Sequence, residues 1–238
     1  MKPVFEKFFL SSLASLGLAT STSAASLEAR LDEGTGTITI HRDGLTKPLV
    51  TQHAAAHHRP YLHPIVGPDG NGVLTEYSPG HHRHQTGLYW GFTRVNGRDY
   101  FHHPSDNYWK RKAVNVLEAK GESVKWETVY DLLDADGNAV LTETQRWAMR
   151  SDGDRHVLDL EWRGQAQTDV TIGKYDYGGL FLRMPWKPGT KGEAVNAARN
   201  INAAAEGQRA MWLDVGMEIA GRDDWGHVAI FDHPKNGG

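Results

Sequence analysis

The chain contains no cysteine. Disulfide staples, thiolate nucleophiles, iron–sulfur clusters and cysteine-based zinc sites are excluded in one step. Any metal would have to rest on histidine and carboxylate side chains. A surplus of positive charge is missing too, since 26 Lys and Arg face 29 Asp and Glu. No electrostatic footprint of nucleic-acid binding follows from that balance. Beyond residue 25 no apolar run approaches the ~20 residues that a spanning helix needs, so no stable membrane insertion is expected. The chain also lacks a G-x-G-x-x-G turn opening a helix, a P-loop, a G-x-S-x-G elbow and an H-E-x-x-H pair. Nucleotide cofactors and serine-esterase chemistry therefore have no support.

Aromatics are plentiful, with 8 Trp, 8 Tyr and 7 Phe to build a core. The first 25 residues have the order of a signal peptide: Lys2 and Lys7, an apolar stretch from Phe8 to Ala19, then Ser23-Ala24-Ala25 before Ser26. The expectation is export to the periplasm or the medium, with residues 26–238 forming a single domain.

From Ser26 onward the period is two. Leu27, Ala29 and Leu31 alternate with charged residues, and so do Val124 and Trp126, and Leu158, Leu160 and Trp162, while Leu180, Leu182 and Met184 repeat the period of two. One face in a core and one in water is the pattern of antiparallel sheet. Asn96-Gly97, Asp136-Gly137-Asn138, Ser151 to Asp154 and Gly67 to Gly72 supply the turns. The fold class expected is all-β, an antiparallel β-sandwich. Gly192 to Gly207, rich in Ala and Asn, reads as a loop with at most a turn of helix. Val228 to Phe231 reads as a buried strand, yet the chain stops at Gly238, which suggests C-terminal truncation.

Nine of the 13 histidines fall between His53 and His103, where uniform scatter would place about three. The densest run is His81-His82-Arg83-His84. On a strand, His82 and His84 would share a face with Cα atoms ~7 Å apart. That suits two imidazoles binding one metal, or one positioning a substrate while the other moves a proton. Arg59-Pro60-Tyr61-Leu62-His63-Pro64 adds an arginine, a tyrosine and a histidine in extended backbone. Tyr89 and Trp90 straddle a strand, so one ring is core and the other is free to stack on a sugar. Tyr175-Asp176-Tyr177-Gly178-Gly179 precedes a strand whose Arg183 faces away from the core residues, and Phe231-Asp232-His233-Pro234 pairs a carboxylate with an imidazole.

These segments, in this order, resemble the bacterial family called "methane oxygenase PmoA". The likeness runs from Arg59 to Asn236 and rests on Arg59-Pro60-Tyr61-Leu62-His63-Pro64, His82 and His84 leading into Gly87-Leu88-Tyr89-Trp90-Gly91, Val95-Asn96-Gly97, Gly179-Leu180-Phe181 with Arg183, and Phe231 to Asn236. His81, Gln85 and Thr86 stand where that family often carries an acidic residue, a second histidine and an arginine. The family's further Trp/His segment after the Asp-His-Pro motif is also absent. The resemblance implies a secreted β-sandwich similar to aldose epimerases and some polysaccharide lyases.

Three functions are open at this point. The first is a carbohydrate-active enzyme, with His82, His84, His63 and His233 as catalytic groups. Arg59, Tyr61, Trp90, Tyr177, Arg183 and Asp232 would contact its substrate. The second is a copper or iron oxidoreductase, as the family name suggests, with His82, His84 and His233 holding the metal and Asp232 behind them. The third is a non-catalytic sugar-binding module. No cofactor is required by the sequence, and a divalent metal is the only candidate.

Overall fold

The computed structural model describes residues 26–152 and 154–236. The expected leader, residues 1–25, lies outside the described residues. Strands take up 51% of the described residues and helix 3%, so the fold is all-β.

The larger sheet joins β1 (Leu27–Asp32), β2 (Thr37–Arg42), β3 (Val50–His53), β4 (Tyr61–Ile65), β5 (Leu88–Gly91), β7 (Lys120–Gly121) and β11 (Gly179–Leu182) in the order β11-β5-β4-β3-β2-β1-β7. The second sheet has the order β10-β9-β8-β6, built from β6 (Trp109–Glu118), β8 (Ser123–Leu133), β9 (Ala139–Asp152) and β10 (Arg155–Ala166). β12 (Gly192–Asn196), β13 (Trp212–Glu218) and β14 (Trp225–Phe231) form a third sheet. All of these strand pairs are antiparallel.

The alternation explains the packing. Leu27, Ile38, Ile40 and Leu62 of the large sheet meet Val124, Trp126, Trp147 and Met149 of the second in one buried cluster, which makes the two sheets a β-sandwich. Gln52 also points inward, and its Oε1 accepts the Trp126 indole N–H at 3.1 Å. Its amide nitrogen donates to the carbonyls of His53 and Tyr61 at 3.0 and 3.1 Å, beside a register shift between β3 and β4. With its oxygen and its nitrogen both bonded, the fully buried amide leaves none of its own polar atoms unsatisfied in the core.

Two expectations change here. Gly192–Asn196 is a strand rather than loop, because pairing with β13 overrides the weak propensity of an Ala-rich segment. β14 is a strand as expected but not a buried one. Among the described residues it pairs with β13 alone, and Phe231 at its end is 72% exposed.

Candidate functional site

The inward commitment of Leu62 and Leu88 sends their neighbours to the outer face of the large sheet. His53 of β3, Tyr61 of β4, Tyr89 of β5 and Phe181 of β11 are direct partners across four adjacent strands. They form one row of rings. His53 stacks on Tyr61 with centroids 4.7 Å apart, and Tyr89 stacks on Phe181 at 5.3 Å. Cross-strand aromatic pairs of this kind stiffen the face that carries them.

Two loops lie over this row. The first closes through a bridge between Tyr77 and Thr86 and a hydrogen bond from the Ser78 N–H to the Gln85 carbonyl. His81 to His84 occupy its tip, in turns closed by His82 N–H to Pro79 and Gln85 N–H to His82. The strand expected here is therefore a turn, since Pro79-Gly80 interrupts extended backbone. His82 and His84 still meet, edge to face, with centroids 5.8 Å apart. Arg183 ties the two limbs of this loop together, with Nε donating to Glu76 at 3.1 Å and Nη1 to Gln85 at 3.2 Å.

The second loop begins at the Asn96-Gly97 turn, where both residues have positive φ (50° and 80°) and Arg98 N–H returns to the Val95 carbonyl. Asp99 follows, and its Oδ1 accepts the backbone N–H groups of Phe101 and His102, each at 3.0 Å. Its Oδ2 lies 2.7 Å from His102 Nδ1, and His102 Nε2 lies 3.4 Å from the Tyr177 hydroxyl. The His84 ring packs against His102 at 4.6 Å and against Phe101 at 4.8 Å.

Arg59, expected to touch substrate, is instead fully buried. Its guanidinium sits 3.8 Å over the Tyr89 ring, and it donates to the carbonyls of Phe101 at 2.9 Å and His84 at 2.6 Å. Peptide carbonyls take its donors because no carboxylate reaches this position among the described residues.

The electrostatics follow from burial and crowding. Burial, the neighbouring His102 and the Arg59 charge push the His84 imidazole down to about 4, so it is neutral at physiological pH. Burial likewise lowers His53, His58 and His63. Burial alone would raise the Asp99 carboxyl, but hydrogen bonds from the His102 backbone and ring outweigh it and keep the group below the usual range.

The structure thus gathers His82, His84, Tyr61, His63, Arg59, Arg183 and Tyr177 around one face. His63 and Tyr61 both contact the exposed ring of Tyr77, with centroids 5.7 and 5.5 Å away. Three expected residues do not join them. Trp90 follows Tyr89 on the strand, so alternation sends it inward, where it stacks on Trp162 at 4.7 Å. Asp232 and His233 lie beyond β14 in a local turn: Asp232 accepts from Asn236, and His233 Nδ1 accepts the Lys235 N–H. Their contacts among the described residues reach none of the gathered histidines.

Asp99, His102 and Tyr77 are members that the sequence reading left out. An Asp three residues before a His, just after an Asn-Gly turn, was the available signal. Two depressions in the surface lie away from this face, one among Thr144, Arg146, Glu161 and Arg163 and one along Arg111 to Val116. Among the described residues no three His, Asp or Glu side chains are grouped as metal ligands.

Residues 37–238 match the model of a family of unknown function, DUF6807. No curated protein and no solved structure matches the chain.

Proposed function

The chain belongs to the DUF6807 family, and from its own residues we propose that the outer face of the large sheet binds a sugar-like ligand and performs acid/base chemistry on it. The observation that carries this reading is the Asp99–His102 pair, with Nδ1 of the imidazole on the carboxylate and Nε2 turned to the Tyr177 hydroxyl. With Nδ1–H donated to Asp99, Nε2 carries the lone pair and can take a proton. The carboxylate then stabilises the imidazolium that forms, as in other histidines oriented by a carboxylate. His84, neutral and in ring contact, adds no positive charge to oppose that step.

The rim supports a sugar as the ligand. Tyr77, Tyr175 and Tyr177 are exposed at the edges of the patch. Rings with one apolar face and one hydroxyl suit pyranoses, which present apolar C–H faces and hydroxyl edges. Tyr61 and Phe181, which anchor the two sides, stand two strand spacings apart, about 10 Å. A lyase, hydrolase or epimerase is the class of enzyme this arrangement serves. A non-catalytic binding face would use the same tyrosines, but it has no need of an oriented histidine. The copper or iron reading has less support, because the described histidines and carboxylates do not gather as a ligand set. The leader-like start puts this chemistry outside the cytoplasm, and the exported form should begin near Ser26 by intact mass.

The test is a panel of neutral sugars, uronates and polysaccharides assayed for cleavage, unsaturated products and epimerisation, with wild type beside His102→Ala. Turnover present in wild type and lost in the variant supports the reading. Turnover that survives in His102→Ala contradicts it.

A further inference from the structure

Arg59 is buried and cannot touch a ligand, yet its guanidinium reaches both loops that carry the proton-transfer histidines. One arm, Nη1, donates to the Phe101 carbonyl at 2.9 Å. The other, Nη2, donates to the His84 carbonyl at 2.6 Å and reaches the Thr86 hydroxyl at 3.4 Å. The Tyr89 ring lies beneath the fork at 3.8 Å, and Tyr89 is itself fixed by its stack on Phe181. The two loops also touch through side-chain rings, His84 packing on Phe101 and on His102.

We propose that Arg59 is a positioning residue that sets the His84 ring against His102 by clamping the two loops to the sheet from below. The proposal rests on the proton-transfer reading of that pair. The planar fork with two separated donors is what allows one side chain to hold two carbonyls, which an ammonium on a flexible stem does not reproduce. The same guanidinium places a fixed positive charge under His84. The groups facing His84 are Arg59 from below, His102 and Asp99 from the second loop, and His82 from its own turn. Of these, Arg59 is the permanent cation. Its charge therefore works with burial and His102 to keep His84 in the neutral form that the reading requires.

Two variants separate the clamp from the charge. Arg59→Lys keeps the charge and loses the fork, and Arg59→Gln loses both. The readouts are the titration of the His84 and His102 rings by side-chain NMR and hydrogen exchange of the Ser78 and Tyr100 amides, whose bonds close the bases of the two loops. In Arg59→Lys, His84 should stay depressed while exchange at both amides accelerates by ~10-fold or more. In Arg59→Gln, His84 should also move up by on the order of half a pH unit or more. Unchanged His84 titration and unchanged exchange in folded Arg59→Gln would overturn the proposal. If both variants fail to fold, wild type decides: Arg59 Nη–H protons protected from exchange, as bonds to the Phe101 and His84 carbonyls require, support the proposal, and protons that exchange as freely as those of a solvated guanidinium overturn it. None of these readouts needs turnover. A protein that handles no sugar would sink the functional reading while leaving the clamp to be judged on its own.

Discussion

His102 Nδ1 lies 2.7 Å from Asp99 Oδ2, while the opposite nitrogen of the same ring faces the Tyr177 hydroxyl at 3.4 Å. The first contact selects a tautomer and the second points its lone pair at an exposed surface. Asp99→Asn should then lower turnover nearly as far as His102→Ala, by ~10²–10⁴-fold, because the amide no longer supports an imidazolium. Asp99→Ala should in addition cost ~1–2 kcal/mol, since the backbone N–H groups of Phe101 and His102 lose their acceptor. Kinetics and urea melts on the three variants check both halves.

Tyr177 and Trp90 are both among the substrate contacts expected from the sequence, and the sheet separates them. Tyr177→Ala should weaken ligand binding and leave stability within ~0.5 kcal/mol, as expected for an exposed ring. Trp90→Ala removes the partner of Trp162 inside the sandwich and should cost about 2–3 kcal/mol. Thermal melts paired with a binding titration distinguish the two outcomes. The opposite pattern would put the ligand on the wrong face.

Trp126 is fully buried, and its indole N–H is held by Gln52. Trp126→Ala should cost ~3–5 kcal/mol through the cavity it opens. Leu160→Ala should cost less, because Leu160 on the margin strand β10 is only partly covered. Equal losses in denaturant unfolding would contradict the packing described for β10.

Stability should fall on the acid side. His84 is depressed to about 4 in the fold, against 6.5 for an ordinary histidine, and His156 likewise. The unfolded chain binds more protons between those values, so stability is complete above pH 6.5 and is lost as pH drops towards 4. Glu143 has the opposite sign. Burial lifts it to about 7, against hydrogen bonds from Trp162 and Gln145. Its contribution is complete below pH 4.5 and is lost as pH rises through 7. Relative to wild type, Glu143→Gln should therefore gain stability between pH 5 and pH 8, and His84→Gln should lose less between pH 6.5 and pH 4. Melting temperatures across that range test both signs.

The strands were legible because Leu27, Val124 and Trp126 alternate strictly with charged residues, and the Asn96-Gly97 turn formed where its residues demanded. The site was legible as a region but not as a geometry. Which of Tyr89 and Trp90 faces inward depends on the register that Leu88 takes in the core, and local sequence leaves that open. Arg59 looks the same in sequence whether it clamps carbonyls or binds a ligand, since only burial tells these apart. His102 was hidden among nine clustered histidines, and its distinction comes from an Asp99 turn that has to fold before the pair exists. β12 was missed because its strand character comes from β13 rather than from its own alanines.

The central claim is that ligand binds at the Asp99–His102–His84 patch. The most direct measurement is side-chain NMR of the histidines in wild type during titration with neutral sugars and uronates of one to six residues. The account predicts saturable shifts in His84 and His102 for at least one member of the panel, with His227 and His233 unmoved. Shifts confined to His227 or His233, or none across the whole panel, would contradict it.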